Sequence, residues 1–417
     1  MAYTIPRGTY DIIPPDSAKW QLLKERFQAL AKSFGYNEIT TPIFEQSDLF
    51  ERSSGESSDV VQKEMYRFTD KKGRVFALRP EGTAPVVRAF VEHNLAALGN
   101  QKLYYWGPMF RYDRPQAGRY RQFYQYGLEF IGSNNPYWDA ELISFLWLFI
   151  QGLGLTKMHL EINSVGCPNC SGTYEQALRD FFQPHLEQLC PDCQKRFVTK
   201  PRRLLDCKVP SCKVIAAGAP SQLEYLDEAC KEHFEAVQAY LKQMEIPFVI
   251  NPKIVRGLDY YSNTAFEIIY DGLGAQNSMA GGGRYNGLIE QIGGKACPAI
   301  GFAGGIERLL LALENEGIVL GSEAVPDLYI VAMGEDARTF ILPEINKLRQ
   351  AGIAVEFDPD KASFKAQLKA ANHCKARFAA IIGEDELKTR TVALKDLVTG
   401  EQKLVPLKDL PDHCKGL

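Results

Sequence analysis

Two aromatic, strand-like segments and the turn between them strongly restrict the fold of residues 110–130. The run is FRYDRPQAGRYRQFYQYGLEF. A Pro-Gln-Ala-Gly-Arg turn between two aromatic strands predicts an antiparallel hairpin with a long tip. Arg111, Arg114, Arg119 and Arg121 make this tip basic, and arginines carried on strands are suited to bidentate contact with phosphate. The alternative is a solvated hairpin with scattered charge.

Gln125 and Glu129 continue the second of these predicted strands. Because side chains alternate along a strand with a period of two, residues four apart lie on the same face. We therefore expect both side chains to point inward from the same side of the hairpin.

A carboxylate and a hydroxyl stand at a predicted strand-to-helix turn in LRPEGTAPVVRAF, residues 78–90. Glu81 and Thr83, on either side of Gly82, can capture an ammonium group there. The simpler interpretation is that both residues cap the helix that follows. Taken alone, this stretch favours capping.

Residues 255–266, VRGLDYYSNTAF, place polar side chains in an otherwise apolar, strand-like run. A buried polar group that lacks a partner costs about 1–3 kcal/mol. An ordinary core strand does not carry such a cluster, so Arg256, Tyr260 and Tyr261 need another explanation, which these residues alone do not supply.

Two glycine runs, MAGGGRYNGL (279–288) and GFAGGIER (301–308), let the backbone approach a ligand closely. The second run opens a predicted helix that carries Arg308. Neither run matches the phosphate loop that ends in Gly-Lys-Ser/Thr or the dinucleotide fingerprint. A nucleotide bound here would require another type of fold.

Four of the ten cysteines form the pairs CPNC (167–170) and CPDC (190–193), which 19 residues separate. Two such pairs can complete one tetrahedral site, so the spacing indicates a four-thiolate zinc site at Cys167, Cys170, Cys190 and Cys193. The alternative is two proline-containing turns with reduced thiols. Both interpretations stay open, and we assign no metal ligand from the sequence.

Composition and charge narrow the class of protein. The chain has 417 residues and a net charge of −3, so any contact with nucleic acid must come from local basic patches. The N-terminus lacks the pattern of a secretory signal, and the longest apolar runs are too short to span a bilayer. We expect a soluble, cytoplasmic protein with reduced thiols. None of the six histidines falls in a nucleophile–base pattern, and the chain has no G-x-S-x-G elbow, so we expect no covalent nucleophile.

Hydrophobic periodicity predicts how these stretches are connected. An amphipathic helix is expected at 17–35, a strand with Pro42 inside it at 37–46, and an apolar helix at 139–153. After a composition shift near residue 321, strands and helices alternate. This βαβαβ pattern predicts a small α/β domain with a mainly parallel sheet.

Taken together, these stretches resemble the class II aminoacyl-tRNA synthetases, and specifically the histidyl-tRNA synthetase family, over nearly the whole chain. GYNEITTPIFE, the arginine hairpin and GFAGGIERLLLAL resemble the three motifs of the class. VRGLDYY and AGGGRYNGL resemble the additions of the histidine-specific members. The resemblance implies an α+β catalytic domain with a mainly antiparallel sheet, followed by a C-terminal α/β anticodon-binding domain.

The resemblance also implies a role for each candidate residue. Arg111 and Arg256 would be catalytic, holding the α-phosphate of ATP and the carboxylate of histidine. Phe123 and Arg308 would enclose the adenine, and Asp113, where many members carry glutamate, would accept from its amino group. The remaining positions would bind histidine: Glu81, Gly82, Thr83, Gln125 and Glu129 at its amino end, with Tyr260 and Tyr261 around its imidazole.

The implied domains are a catalytic domain at 1–325, a cysteine-rich insertion at 166–245 and an anticodon-binding domain at 326–417. The implied partners are ATP with Mg²⁺, L-histidine, tRNA(His) and a second copy of the chain, with no membrane. Zinc is not a general requirement of the family. Two rival functions remain: a synthetase-like regulatory subunit of histidine biosynthesis that does not charge tRNA, and a zinc-dependent nucleic-acid-binding module.

Overall fold

The computed structural model describes residues 3–55, 58, 60–255, 260–274, 277–321 and 325–414. The chain divides into two compact units, residues 1–13 with 20–319 and residues 14–19 with 320–417. Among the described helices, none is both long and apolar enough to cross a membrane.

The first unit is built on a sheet in which eight strands are described. Their order is β1-β5-β6-β11-β10-β9-β7-β8. The five inner pairs of neighbours, from β5 to β7, are all antiparallel, whereas the edge strands β1 and β8 each pair in parallel with their one neighbour. The strands are β1 (Asn37–Glu38), β5 (Gln101–Phe110), β6 (Gln122–Ile131), β7 (Met158–Ser164), β8 (Val249–Ile250), β9 (Ser262–Tyr270), β10 (Ser278–Arg284) and β11 (Ala299–Gly305).

A smaller sheet lies in the same unit and has the order β2-β4-β3. Its strands are β2 (Phe44–Gln46), β3 (Arg67–Thr69) and β4 (Val75–Leu78). The single strand predicted for residues 37–46 is therefore wrong, since β1 and β2 belong to different sheets. Pro42 stands between them and lacks the N–H that a continuous strand would use.

Ten α-helices are described from α1 to α10, the first of which begins in the second unit's short N-terminal segment. The predicted helices at 17–35 and 139–153 are confirmed as α1 and α4, with their ends shifted by two residues or fewer. The helices are α1 (Asp16–Ser33), α2 (Ser47–Ser54), α3 (Thr83–Glu92), α4 (Tyr137–Gly152), α5 (Pro168–Phe182), α6 (Pro191–Thr199), α7 (Pro210–Ala216), α8 (Glu228–Gln243), α9 (Leu288–Gln291) and α10 (Ile306–Asn315).

The apolar face of α1 packs on the sheet. Leu23 and Phe27 are fully buried, as their spacing of four predicts. Phe27 makes edge or tilted contacts, with ring centroids 5.1–5.7 Å apart, to five aromatic rings on β5, β6 and α4: Tyr104, Trp106, Tyr126, Phe145 and Phe149. This aromatic core holds the arginine hairpin, β5 and β6, in place.

The second unit has a five-stranded sheet with the order β13-β12-β14-β15-β16. The three predicted strands pair in parallel, but β15 and β16 pair antiparallel, so the sheet is mixed rather than mainly parallel. The elements are β12 (Leu328–Ala332), α11 (Glu335–Gln350), β13 (Val355–Glu356), α12 (Phe364–His373), β14 (Phe378–Ile382), α13 (Glu384–Thr389), β15 (Thr391–Asp396), β16 (Gln402–Pro406) and α14 (Leu410–Cys414).

Candidate functional site

A cavity of about 430 Å³ opens in the first unit, beside the hairpin β5–β6. Its walls come from the start of α3, from β6, from the strand β10 and from the turn between β11 and α10. Most of the predicted site residues line it: Glu81, Thr83, Arg111, Asp113, Phe123, Gln125, Tyr260, Tyr261 and Arg308. Stretches up to 227 positions apart in the chain, from Glu81 to Arg308, thus meet at one place.

Glu81 lies at the N-terminus of α3 and is almost fully buried. Its two carboxylate oxygens accept hydrogen bonds from the backbone N–H groups of Thr83 and Ala84, at 2.6 and 2.8 Å. The simpler interpretation of this stretch, helix capping, is therefore correct for Glu81, and the residue also lines the cavity. Gly82 allows this turn to lie against Tyr105, because a Cβ at position 82 would meet that ring at 2.3 Å.

Glu129 is fully buried behind Thr83, which lines the cavity. Its carboxylate accepts hydrogen bonds from the Thr83 hydroxyl at 2.7 Å and from the Tyr285 hydroxyl at 2.5 Å. Position 301 on the neighbouring strand must be glycine, since a Cβ there would lie 1.6 Å from Oε2 of Glu129. The second glycine run therefore makes room for a buried carboxylate.

Both carboxyl groups are harder to ionise than usual. Burial raises the pKa of Glu129 to about 8, and the nearby Glu81 adds to the rise, against the hydrogen bonds from Tyr285 and Thr83. Burial also raises the pKa of Glu81, although the two backbone N–H groups and Arg111 oppose the effect. A cation that entered this region would therefore stabilise the ionised carboxylates.

Tyr260 and Tyr261 pack against each other with ring centroids 4.6 Å apart. Tyr260 also contacts Tyr285, at 5.8 Å between centroids. Burial, together with Tyr261 and the carboxylates of Glu81 and Glu129, raises the pKa of Tyr260 well above its usual value, so its hydroxyl keeps its proton. The tyrosines form an apolar wall with hydroxyl groups for hydrogen bonding.

Gln125 and Glu129 are predicted to point to one side of β6, and Glu129 contacts Thr83. Gln125 lines the cavity. Its side-chain oxygen is buried and has no hydrogen-bond partner among the residues that the structure describes. Because a buried unpaired acceptor is unfavourable, this oxygen is suited to receive an N–H from a ligand.

Arg111 lies at the start of the hairpin tip and reaches the cavity from the side of β5 and β6. Its Nε donates to the carbonyl oxygen of Pro80 at 2.8 Å. Its guanidinium carbon lies 5.4 Å from the centroid of the Phe123 ring. One edge of the guanidinium is thus fixed to the backbone beside Glu81, and Phe123 supports its face.

Arg308 approaches the same cavity from α10. It donates to the carbonyl oxygens of Ser278 at 2.6 Å and Gly118 at 3.5 Å. Burial lowers the pKa of Arg308, and so do the positive charges of Arg119 and Arg111. Three guanidinium groups this close repel one another, and an anion between them would relieve the repulsion.

Asp113 is engaged within the hairpin tip. Its carboxylate forms an ion pair of 2.8 Å with Arg119 and accepts from the backbone N–H of Arg114 at 2.7 Å. Both Asp113 and Arg119 line the cavity. The hairpin tip therefore lines the cavity with charged groups, which favours a binding site over a solvated hairpin with scattered charge.

Comparisons with known proteins match both units of the chain. A family model described as histidyl-tRNA synthetase matches residues 8–309, and one described as an anticodon binding domain matches residues 327–417. A curated relative from Geobacillus sp. (strain WCH70), a histidine–tRNA ligase, is 49% identical over 100% of this chain and 99% of its own length. The chain belongs to the histidyl-tRNA synthetase family.

Solved structures share this fold over most of the chain. The apo histidyl-tRNA synthetase of S. aureus is 42% identical and has a TM-score of 0.85, with 99% of this chain and 100% of that chain covered. A protein described as an ATP phosphoribosyltransferase regulatory subunit/histidyl-tRNA synthetase from Bacillus halodurans has a TM-score of 0.62 at 20% identity, with 89% and 97% covered. That second likeness concerns the fold alone.

Several cavity residues of this histidyl-tRNA synthetase family member were not predicted from the sequence, among them Glu307 and Arg203. Glu307 is buried at the start of α10, where it accepts hydrogen bonds from the Tyr10 hydroxyl at 2.6 Å and the Tyr124 backbone N–H at 2.8 Å. Burial raises its pKa to about 7. Arg203 reaches the cavity from the insertion. The position of Glu307 directly before Arg308 in the sequence could have indicated it, whereas no sequence signal indicated Arg203.

A buried ion pair explains the arginine of the AGGGRYNGL stretch. Arg284 and Asp139 are both fully buried and form three contacts of 2.5–3.0 Å. Arg284 precedes Tyr285, which donates to Glu129. The ion pair thus fixes a residue that supports the site, although neither partner lines the cavity.

Arg256, the second predicted catalytic residue, lies outside the described residues together with positions 257–259. Its neighbours in sequence bracket the site: Tyr260 lines the cavity described above, and Val255 lines an adjoining depression that also includes Arg308. The role assigned to Arg256 therefore stays a prediction.

The cysteine pairs do not form the one site that their spacing suggested. Cys167 and Cys170 group with Asp227 and Cys230, whereas Cys190 and Cys193 group with Cys207 and Cys212. Helix α5 begins directly after Cys167 and separates the two pairs along the chain. The predicted set Cys167, Cys170, Cys190 and Cys193 is therefore wrong as a single site.

Proposed function

We propose that the chain is a histidine–tRNA ligase, which joins L-histidine to tRNA(His) through a histidyl-adenylate and releases AMP and diphosphate. One observation carries this proposal: the guanidinium groups of Arg111 and Arg308 share a cavity with the polar groups of Glu81, Thr83, Gln125 and the paired tyrosines. An anion site thus adjoins a pocket that suits an amino acid. The full-length similarity to histidine–tRNA ligases supports the assignment.

The histidine substrate would lie between β6, the start of α3 and the tyrosines. Its ammonium group would be held by Glu81, Thr83, Gln125 and Glu129, of which the two carboxylates have raised pKa values in the empty site. Its imidazole would lie against Tyr260 and Tyr261. A polar pocket of this type discriminates strongly, because an analogue without N–H groups leaves buried partners unpaired.

ATP would bind along the hairpin. The adenine would stack on Phe123 and be covered by Arg308, and its amino group would face Asp113, whose carboxylate is presented on the cavity wall next to Arg119. The carboxylate of Glu307 is the ligand type that Mg²⁺ prefers and would help to hold the ion. When bound with ATP, this ion neutralises charge on the phosphates.

The first chemical step joins two anions. An oxygen of the histidine carboxylate attacks the α-phosphorus, the bond to the bridging oxygen breaks, and diphosphate leaves with the electron pair. Arg111, with Arg256, would hold the α-phosphate and the carboxylate in line, which stabilises the charge that develops. In the second step a terminal ribose hydroxyl of tRNA attacks the adenylate carbonyl, and AMP leaves. Neither step needs a side-chain nucleophile.

The domain assignments complete the proposal: residues 1–325 as the catalytic domain, 166–245 as an insertion within it, and 326–417 as the anticodon-binding domain. Two copies of the chain would associate around the segment that contains Pro42, in the cytoplasm. Lys365 and Lys369 lie on α12 (Phe364–His373) and would face the phosphates of RNA. Lys361 instead pairs with Asp358, and Lys375 follows the helix end.

Histidine-dependent exchange of label between ATP and diphosphate tests the proposed function. The purified protein is expected to catalyse exchange only when L-histidine is present, and to charge a tRNA(His) transcript. Exchange in the presence of any other amino acid should be slower than exchange with L-histidine. A pure, folded protein that shows no exchange would instead be the regulatory subunit of histidine biosynthesis.

The raised pKa of Glu129 predicts that histidine binds more tightly as the pH rises towards 8. Below its pKa of about 8 the empty site holds the neutral carboxyl, while the bound ammonium requires the carboxylate. The KM for histidine in the exchange reaction should therefore increase by up to about tenfold for each pH unit below 8. The contribution of the Glu129 carboxylate to histidine binding is therefore complete above its pKa and is lost as the pH falls below it.

Glu129→Gln provides the control, because the amide keeps the shape but does not titrate. The imidazole of free histidine titrates near pH 6.5 in both experiments, so the difference between the two pH profiles isolates the carboxyl group. Identical profiles for the wild-type chain and the variant would remove Glu129 from ammonium binding.

A further inference from the structure

The insertion contains two groups of metal-ligating side chains that the proposed function does not use. The four-cysteine cluster consists of Cys190, Cys193, Cys207 and Cys212. The three-cysteine cluster consists of Cys167, Cys170, Cys230 and the carboxylate of Asp227. Within each cluster, all candidate ligand atoms lie within 4.8 Å of one another. We propose that each cluster binds one Zn²⁺ ion, so that the chain carries two structural zinc ions.

The sulfur positions of the four-cysteine cluster fit a single tetrahedral ion. With zinc–sulfur distances of about 2.3 Å, a tetrahedral site separates its sulfurs by about 3.8 Å. The sulfurs of Cys190 and Cys207 lie 3.8 Å apart. The backbone N–H of Cys190 points at the sulfur of Cys212 from 3.2 Å, and such a donor stabilises a metal-bound thiolate.

Side chains of this cluster come from two short helices and the segment between them. Cys190 immediately precedes α6 and Cys193 lies in its first turn, whereas Cys212 lies in α7. Cys193, Cys207 and Cys212 are at most 6% exposed. One ion would thus tie α6, α7 and their connection together from the inside.

In the three-cysteine cluster, the two carboxylate oxygens of Asp227 have different contacts. One carboxylate oxygen of Asp227 caps α8 by accepting the backbone N–H of Cys230 at 2.8 Å. The other oxygen lies 3.1 Å from the sulfur of Cys167. That sulfur lies 3.5 Å from Cys170, whose sulfur is 3.7 Å from Cys230. The carboxylate can therefore cap the helix and bind the ion together.

Polar amide groups lie near the sulfurs of the three-cysteine cluster and could stabilise negative charge on them. The turn before Cys167 uses Gly166 at φ +71°, where a Cβ would lie 2.9 Å from the sulfur of Cys170 and 3.0 Å from Nε2 of Gln222. Gln222 is 2% exposed, and its amide has no hydrogen-bond partner among the described residues. The side chain of Asn263 donates to the sulfur of Cys230 at 3.4 Å.

The size of the insertion gives zinc a physical purpose. Between β7 and β8 the described residues form helices and no strand. Ten buried residues make up a core there, and three of them are cysteines of the four-cysteine cluster. A core this small stabilises a segment only weakly, and bound metal is one of the usual supplements. Zinc binding would supply folding free energy directly.

Disulfide bonds and an iron–sulfur cluster fit the geometry less well. All ten cysteines are free thiols, and the sulfur separations exceed the disulfide bond length of about 2.05 Å. An iron–sulfur cluster occupies more space than one ion and would hold its four cysteines farther apart. A single tetrahedral ion with mainly sulfur ligands points to zinc.

Metal analysis of the full-length chain, purified without a chelator or a metal-affinity tag, tests the proposal. Elemental mass spectrometry is expected to show two zinc ions per chain. Cys212→Ser and Cys230→Ser should each reduce the content to one, and the double variant should bind none. Cys374→Ser is the matched control, because Cys374 is a half-buried cysteine outside both clusters, and it should keep two.

Cobalt exchange covers the case in which a cysteine variant does not fold. Wild-type chain whose zinc is replaced by Co²⁺ should show the visible bands of tetrahedral cobalt and intense thiolate-to-cobalt absorption, at two equivalents. The proposal is overturned if zinc stays below half an equivalent after dialysis against zinc while all ten thiols react readily. One equivalent that only Cys212→Ser removes would eliminate the three-cysteine site, and iron in place of zinc would overturn the choice of metal.

Discussion

Replacing Arg111 by alanine should lower the rate of histidine-dependent ATP–diphosphate exchange by about 10³-fold, since removal of one preorganised donor from a developing charge costs about 10²–10³-fold. Arg111 additionally carries a full charge into a cavity where Arg308 and Arg119 already lie. Its guanidinium is fixed by Pro80 and Phe123, so little reorganisation is needed during the reaction. The loss should appear mainly in kcat, measured by steady-state exchange at saturating ATP.

Arg111→Lys and Arg74→Ala complete this experiment. The lysine keeps the charge but loses the planar fork, so it should restore only part of the rate. Arg74 is an exposed arginine paired with Asp70, away from the cavity, and its removal should leave exchange unchanged. An Arg111→Ala enzyme within tenfold of the wild-type rate would contradict the role proposed for Arg111.

Asp139→Ala should destabilise the first unit by about 3–5 kcal/mol, because it leaves the guanidinium of Arg284 buried without a counter-charge. Both side chains are fully buried. Burial opposes ionisation of Asp139, but Arg284 and His233 prevail and lower its pKa. This stability is therefore present above the unfolded pKa, about 3.9, and is lost as the pH falls through the folded value. Unfolding in urea, followed by fluorescence, measures the effect.

Asp48→Ala is the matched control for Asp139→Ala. Asp48 pairs with Arg52 across one turn of α2, and both side chains are more than half exposed. Such surface pairs contribute about 0–1 kcal/mol, so the unfolding midpoint should hardly move. If the two alanine variants were equally stable, the buried pair would not hold the segment that carries Tyr285.

The hairpin and its site were predictable because the signals are local. Aromatic strands around a turn determine a hairpin wherever they occur, and a side-chain period of two puts Gln125 and Glu129 on one face. The resemblance of Arg111, Phe123 and Arg308 to family motifs then assigned them to a shared site. The structure brings these residues into one cavity.

Other features depend on contacts that no local pattern contains. The grouping of the cysteines follows from how α5 to α8 fold around their small core, and a spacing that suits one site was compatible with two. The break between β1 and β2 depends on which sheet each segment joins. The antiparallel strands β15 and β16 carry no helix between them, so the alternation seen earlier in the domain did not extend to them.

By itself, the sequence determined the class of fold, the antiparallel hairpin and the residue types that an anion and an amino acid require, since propensity, periodicity and motif spacing act over short distances. Tertiary structure alone decided that Glu129 is buried between Thr83 and Tyr285, that Arg284 pairs with Asp139 and that Arg203 of the insertion reaches the cavity. The contacts of Glu129 and Asp139 join residues 46 to 156 positions apart in the chain. Their energies arise from burial and charge in three dimensions, and a linear pattern records neither.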